Sequence, residues 1–80
     1  MVKTADLLNV RTGAGTNYKK KLFKQLTADA QAKIKKLKGY AVDGYVKGLE
    51  FTATSVKTVG KQHWGKTASG WVCLDYCVKI

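Results

Sequence analysis

The sequence predicts a small, mainly β domain of short antiparallel strands with one inserted α-helix at about residues 28–38. After residue 40, segments of period-two alternation are separated by glycine-containing turns. One stretch before them has the apolar spacing of a helix. A length of 80 residues with 45% hydrophobic composition is enough for one globular domain and too short for two. Such a series of strands is typical of a small barrel or sandwich.

The N-terminal part is predicted to be a strand that ends in a glycine loop. Residues 2–11 alternate loosely, so that Asn9 and Arg11 point away from the core. Residues 12–17 hold two glycines and favour a tight loop with positive φ. The loop is not a dinucleotide fingerprint, because the third glycine is missing. Residues 22–26 then form a short apolar strand or a turn.

The helix has start and stop signals at both ends. Thr27 is predicted to be its N-cap, and Gly39 stands at the position where helices often end. Ala30, Ile34 and Leu37 follow at i, i+4 and i+7, so we expect them to pack on a sheet. Lysines crowd the C-terminal end, where the helix dipole favours cations.

The second half of the chain reads as short strands. Alternation or β-rich composition predicts strands within residues 40–46, 49–55, 56–59, 63–66 and 71–74. The breaks between them contain Gly with Asp, Lys or Ser, which are favourable turn residues. This half therefore supplies most of the predicted β-structure.

The net positive charge indicates a class of binding partner. Fifteen Lys and Arg against five Asp and Glu give a net charge of +10, which attracts polyanions such as nucleic acid, teichoic acid or anionic lipid. No apolar run approaches the ~20 residues of a membrane-spanning helix. We therefore expect no membrane insertion. The N-terminus also lacks the apolar stretch of a signal peptide.

The residues with reactive side chains do not form a recognisable catalytic or metal pattern. Cys73 and Cys77 are predicted to be free, partly buried thiols, because a disulfide over so short a loop has doubtful geometry. His63 with two cysteines leaves a structural zinc site one ligand short. Cys73 has no visible base in the sequence. We expect no enzyme activity, no cofactor and no metal.

Three segments of the chain form recognisable motifs, which read LNVRTGAGTNY at residues 8–18, WGK at residues 64–66 and GWVCLDY at residues 70–76. Together they resemble bacterial SH3-like domains. Their order and relative placement agree with the family's opening signature, late strand and closing motif. The resemblance covers roughly residues 2–23 and 49–80, whereas about residues 27–46 depart from the family's pattern.

The resemblance implies an SH3-like barrel and a targeting function. Residues 1–80 would be a single domain cut from a longer chain. It would be a non-catalytic module that brings an attached peptidoglycan hydrolase, such as a phage endolysin or an autolysin, to the bacterial cell wall. The implied ligand is a peptidoglycan stem peptide or cross-bridge, and the positive charge adds anionic wall polymers as further partners. Without a signal peptide, the expected origin is a phage, with release by lysis.

The candidate ligand-binding side chains are aromatic or can pair with a peptide. Tyrosine and tryptophan offer rigid faces with a polar tip, and Asn and Arg can bind backbone amides or a carboxylate. The candidates are Asn9, Arg11, Tyr18, Tyr40, Tyr45, Trp64 and Tyr76. At least two of the chain's aromatic side chains should be core, and Trp71 is expected to be half-buried support. Asn9 and Arg11 have an alternative role, which is to hold the glycine loop in shape.

The alternative function is a basic small β-barrel that binds nucleic acid through aromatic side chains among lysines. The position of the lysines discriminates between the two functions. Lysines around an aromatic groove would favour nucleic acid, whereas lysines clustered on the inserted helix and at Lys19 to Lys21, away from the groove, would favour the wall.

Overall fold

The computed structural model describes residues 2–5 and 7–79, so Met1 and Ile80, the ends of the predicted domain, lie outside the described residues. Within the described part, six strands, one α-helix and two 3₁₀ helices follow one another. They are β1 (Val2–Thr4), a first 3₁₀ helix (Phe23–Gln25), α1 (Ala28–Lys38), β2 (Glu50–Phe51), β3 (Ser55–Val59), β4 (Gln62–Lys66), β5 (Trp71–Cys73), a second 3₁₀ helix (Leu74–Tyr76) and β6 (Cys77–Lys79).

The strands form two antiparallel sheets of three strands each. Their orders are β2-β1-β6 and β3-β4-β5, and in the second sheet Trp64 of β4 lies between Lys57 and Cys73. The predicted mainly β class, the antiparallel pairing and the single inserted helix are confirmed. Among residues 2–5 and 7–79 the pairings do not close a barrel, so the SH3-like barrel stays a prediction.

The predicted N-terminal strand is shorter than expected. β1 ends at Thr4, and the described residues from there to Arg11 make isolated bridges, from Leu8 to Tyr45 and from Arg11 to Lys20 and Trp71. The chain therefore passes from the first sheet to the edge of the second between residues 4 and 11. A segment that crosses between sheets cannot stay paired with one strand, which is why the alternation did not mark a continuous strand.

Helix α1 has the predicted bounds and caps. The Thr27 hydroxyl accepts a hydrogen bond from the Ala30 N–H at 3.2 Å, and Gly39 adopts φ 81° while its N–H donates to the Lys35 carbonyl. Ala30 and Ile34 are buried as predicted. Leu37 is 49% exposed, so its predicted packing on a sheet is wrong. The last turn of the helix extends past the core.

The alternation predicted across residues 40–55 also overstated the strands. In this region the structure has β2, the start of β3 and the isolated bridge at Tyr45. A turn interrupts the predicted alternation, and in this turn the Leu49 N–H donates a hydrogen bond to the Val46 carbonyl at 3.1 Å. Residues 22–26 form a 3₁₀ turn, one of the two predicted alternatives. β3, β4 and β5 lie within two residues of their predicted positions.

One hydrophobic cluster joins both sheets and the helix. Its members are Leu8, Val10, Leu26, Ala30, Ile34, Tyr45, Val46, Leu49, Phe51, Trp64, Val72 and Cys73. Six members come from α1, β2, β4 and β5, and six come from the segments between elements. Because Leu8 and Val10 are among the latter, the cluster fixes the crossing segment against β4 and β5. The junction between the crossing segment and these two strands forms the walls of a cleft.

Candidate ligand-binding cleft

A cleft of about 250 Å³ opens where the crossing segment meets the second sheet. Its lining residues are Leu7, Leu8, Asn9, Arg11, Thr16, Gln62, Trp64, Cys73 and Tyr76. Four of the seven candidate residues, Asn9, Arg11, Trp64 and Tyr76, are therefore brought together. They come from segments more than fifty residues apart in the chain.

The two aromatic residues of the cleft differ in exposure. Tyr76, in the second 3₁₀ helix, is 55% exposed, whereas Trp64, in β4, is 2% exposed. The indole Nε1 of Trp64 has no hydrogen-bond partner among the described residues. An unsatisfied buried donor costs about 1–3 kcal/mol. Trp64 therefore forms an inner wall with an unused donor, and Tyr76 forms an accessible edge.

Asn9 brings a carboxamide to the cleft. Its neighbours Leu8 and Val10 are buried, which confirms the predicted alternation, and Asn9 is half-buried at the cleft. In the described part of the chain its carboxamide has no hydrogen-bond partner. A carboxamide can donate to a carbonyl and accept from an amide N–H, the two groups that a peptide backbone presents.

Arg11 holds the glycine loop. Its Nη1 donates to the carbonyl oxygens of Thr16 at 3.1 Å and Tyr18 at 3.0 Å. Its backbone pairs in both directions with Trp71, which is half-buried as predicted. These bonds support the predicted alternative, in which Arg11 shapes the loop, and they leave the guanidinium at the edge of the cleft.

Tyr18 packs on the loop beside the cleft. A Cβ atom at Gly13 would lie 2.5 Å from Tyr18 Cδ1, so the ring approaches the backbone closely there. Gly13 is thus required by this approach and not by a positive φ, which in this loop occurs at Gly15 (φ 143°). Tyr18 is partly exposed and does not line the cleft.

Tyr40 and Tyr45 lie away from the cleft. Tyr40 follows α1 and is 62% exposed. Tyr45 is 3% exposed, with its hydroxyl 2.9 Å from Thr67 Oγ1 and its ring centroid 5.1 Å from that of Phe51. Tyr45 is at the wall of a separate cavity of about 450 Å³ between α1 and the end of β2. It is a core residue, one of the aromatic side chains expected there.

The second 3₁₀ helix is pinned to β4 beside the cleft. Asp75 accepts hydrogen bonds from the His63 backbone N–H at 3.3 Å and pairs with His63 Nδ1 at 3.2 Å. The hydrogen bond from the His63 side chain is the main reason that the pKa of Asp75 lies below its ordinary value. This pair fixes the helical turn that carries Tyr76.

The cysteines are free, as predicted, with Cys73 buried and Cys77 partly buried. Burial raises the pKa of the Cys73 thiol, and burial followed by repulsion from Cys73 raises that of Cys77 to about 11. Both thiols are therefore protonated at neutral pH, and the thiolate is the reactive form. Cys73 Sγ and His63 each contact Asp75.

No protein-family model, curated protein or solved structure matches this chain. Within residues 2–5 and 7–79, no helix is long and apolar enough to cross a membrane. In the same ranges no three His, Cys, Asp or Glu side chains come together as a metal site.

Sequence reasoning missed several lining residues of the cleft, of which Thr16 and Gln62 are polar. Thr16 lies inside the loop motif at residues 8–18 and could have been proposed from it. Gln62 begins β4, and only the pairing of that strand beside the crossing segment places it at the cleft. No pattern in the sequence indicates that placement.

Proposed function

We propose that the chain is a non-catalytic module of the bacterial SH3 type that binds peptide in the bacterial cell wall and targets an attached peptidoglycan hydrolase. The observation that supports this most is the convergence of the three motif segments. Residues 8–18 contribute Asn9, Arg11 and Thr16 to the cleft, residues 64–66 contribute Trp64, and residues 70–76 contribute Cys73 and Tyr76. Segments that carry the resemblance thus share one surface.

The dimensions of the cleft favour a short and slender ligand. Its volume of about 250 Å³ is below the ~300–1,000 Å³ that encloses drug-sized molecules. A stem peptide or cross-bridge built from small residues fits such a space. Its backbone amides match the free carboxamide of Asn9, and the flat face of Tyr76 can cover it at little entropic cost.

The lysine positions weigh against nucleic acid as the ligand of the cleft. None of the lining residues, all within the described part of the chain, is a lysine. The one cation there, Arg11, already donates to two loop carbonyls. Nucleic-acid grooves follow the phosphate backbone with several free cations, so this cleft has the chemistry of a peptide site.

The SH3-like barrel is part of the same proposal. Two three-stranded sheets share one core, and the chain passes between them at residues 52–54 and through the second 3₁₀ helix. Two short sheets linked at their corners are compatible with a partly open barrel.

The test is retention of the purified chain on peptidoglycan stripped of its anionic polymers. Tyr76→Ala should lower the affinity about tenfold, because removing an aromatic ring that covers bound ligand typically costs about 1–2 kcal/mol. Tyr40→Ala is the matched control, since Tyr40 is equally exposed but lies outside the cleft. Both variants should melt near the wild-type temperature.

Wild-type binding should also persist at ~0.5 M salt, where screening reduces the Debye length to a few ångström. Loss of all retention at that salt concentration, or equal losses in the Tyr76 and Tyr40 variants, would contradict peptide recognition by the cleft.

A further inference from the structure

Most of the net positive charge of the chain lies in the middle of the sequence, outside the three motif segments. Residues 19–42 contain eight lysines and one aspartate, a net charge of +7 out of the total of +10. None of these residues lines the cleft. The peptide site proposed above therefore leaves most of the charge unexplained.

Three exposed lysines lie in the last turn of α1, and a fourth adjoins the ring that one of them covers. The lysine cluster is defined as Lys24, Lys35, Lys36 and Lys38, all of them exposed. Lys35 Nζ lies 5.6 Å from the centroid of the Phe23 ring. This contact joins α1 to the first 3₁₀ helix, which also contains Lys24. Lys35 and Lys38 are neighbours at i, i+3, and Lys36 projects from the adjoining side.

The acidic side chains around the cluster do not neutralise it by ion pairs. Asp29 pairs with Lys33, one turn earlier, at 3.2 Å. Asp43 Oδ1 accepts a hydrogen bond from the Phe23 backbone N–H at 2.7 Å. Glu50 borders the cluster in a small groove that Lys36 also lines. In the described part of the chain the only other ion pair is the distant one between His63 and Asp75.

The helix dipole explains only part of this arrangement. Cations in the last turn stabilise the negative end of the dipole, and the effect falls off within that turn. Lys24 lies on another element and gives α1 no such benefit. Four cations without an ion-pair partner also repel one another. A cluster of this kind is expected to attract a polyanion.

We propose that the lysine cluster is a second binding site, which takes a flexible polyol-phosphate polymer through its backbone phosphates. Lysine ammonium groups are mobile point charges that suit a flexible phosphate chain, and the cluster contains no arginine for bidentate contacts. The Phe23 ring is covered by Lys35, and among the described residues at the C-terminal end of α1 the exposed aromatic side chain is Tyr40. Base stacking, which binds single-stranded nucleic acid, therefore has little to act on.

The choice of a wall polymer over other phosphate chains rests on the proposed function. The attraction of the lysine cluster to a polyanion does not depend on that function. The two sites share no residue. A wall surface would then engage the domain twice, with peptide in the cleft and phosphate polymer at the helix. Two linked contacts raise the effective concentration of the second one.

The experiment is a titration of the chain with synthetic poly(glycerol phosphate) at about 0.05 and 0.2 M salt. With four phosphates contacted and a logarithmic slope of about −0.7 per contact, affinity should fall about 50-fold between these salt concentrations. The triple variant Lys24→Gln, Lys36→Gln, Lys38→Gln should bind about tenfold or more weakly at the lower salt concentration, with a shallower slope. It keeps Lys35 on Phe23 and retains good helix formers.

The matched control is Lys47→Gln, Lys57→Gln, Lys61→Gln, which removes the same charge from exposed positions elsewhere. Its binding should stay within about threefold of wild type, since only the long-range attraction changes. Equal losses in both triple variants would reduce the effect to net charge and overturn the proposal. Tighter binding to an oligothymidylate of equal phosphate count, or to phosphatidylglycerol vesicles, would also overturn it.

Peptide binding in the cleft and polymer binding at the lysine cluster can be contradicted independently of each other. Tyr76→Ala should leave poly(glycerol phosphate) binding unchanged, and the helix triple variant should still bind polymer-free peptidoglycan. Circular dichroism of each variant checks that α1 is retained.

Discussion

At the scale of single residues, the accessible edge of the cleft depends on a polar pair outside it. Asp75 bonds both the backbone and the ring of His63, and Tyr76 is the next residue in the chain. The pair is partly exposed, so its energetic contribution is screened by solvent. Its importance is geometric, because it orients the turn from which the Tyr76 ring extends.

This pair should make the domain sensitive to acid. The pKa of Asp75 is lowered in the folded chain, so the stability it contributes is present above the unfolded pKa near 4 and is lost as the pH falls through the folded value. We expect Asp75→Asn to be less stable than wild type at pH 7, with the difference shrinking as the pH falls below the unfolded pKa and disappearing below the folded pKa of Asp75. Thermal melts of both proteins across this range test it. A stability difference independent of pH would contradict the assignment.

Residue burial was predictable where it followed a local pattern and not where it depended on a distant partner. The alternation of Leu8, Asn9 and Val10 showed which side chain faces the cleft. Tyr45 and Tyr76 have the same side chain, yet one is buried and the other exposed. The partner that marks Tyr45 as core, Thr67, lies 22 residues away. Nothing local to Tyr45 indicates that contact.

At the scale of elements, α1 was predictable because its signals lie within the helix and its caps. Thr27, the i, i+4 spacing of Ala30 and Ile34, and Gly39 mark its extent, and the structure uses all of them. The strands before β3 were not predictable in the same way. Their length depends on where the chain crosses between sheets, which is a property of long-range pairing.

The N-cap of α1 should contribute measurable stability. Thr27 Oγ1 accepts from the Ala30 N–H and also from the Ser69 hydroxyl at 3.3 Å, so Thr27→Ala should lower the free energy of unfolding by about 1 kcal/mol or more. Thr52→Ala is the control, because Thr52 is exposed in the link between β2 and β3. Urea denaturation of both variants measures the difference. Equal destabilisation would show that the cap bond is not the cause.

At the scale of the whole molecule, the resemblance and the architecture agree only at the level of short antiparallel strands around one core. The motif segments at residues 8–18, 64–66 and 70–76 meet at the cleft. The departure from the family's pattern, at about residues 27–46, includes α1 and three lysines of the cluster. The proposed peptide site and most of the lysine cluster thus lie in different parts of the chain. Periodicity showed the strands, but it could not show which of them would share a sheet.

The high net positive charge of the whole molecule predicts how its stability responds to salt. A net charge of +10 on 80 residues opposes the compact state by self-repulsion, and added salt screens that repulsion. The Tm of the wild-type chain should therefore rise by a few degrees between ~0.01 and ~0.3 M sodium chloride. The Tm of the triple variant Lys24→Gln, Lys36→Gln, Lys38→Gln should rise less, because this variant has less charge repulsion to screen. Chloride is the suitable anion, since phosphate or sulfate would add effects of their own. A Tm that is unchanged or falls with salt would mean that the lysines are already compensated in the fold, and the case for a polyanion partner at α1 would weaken with it.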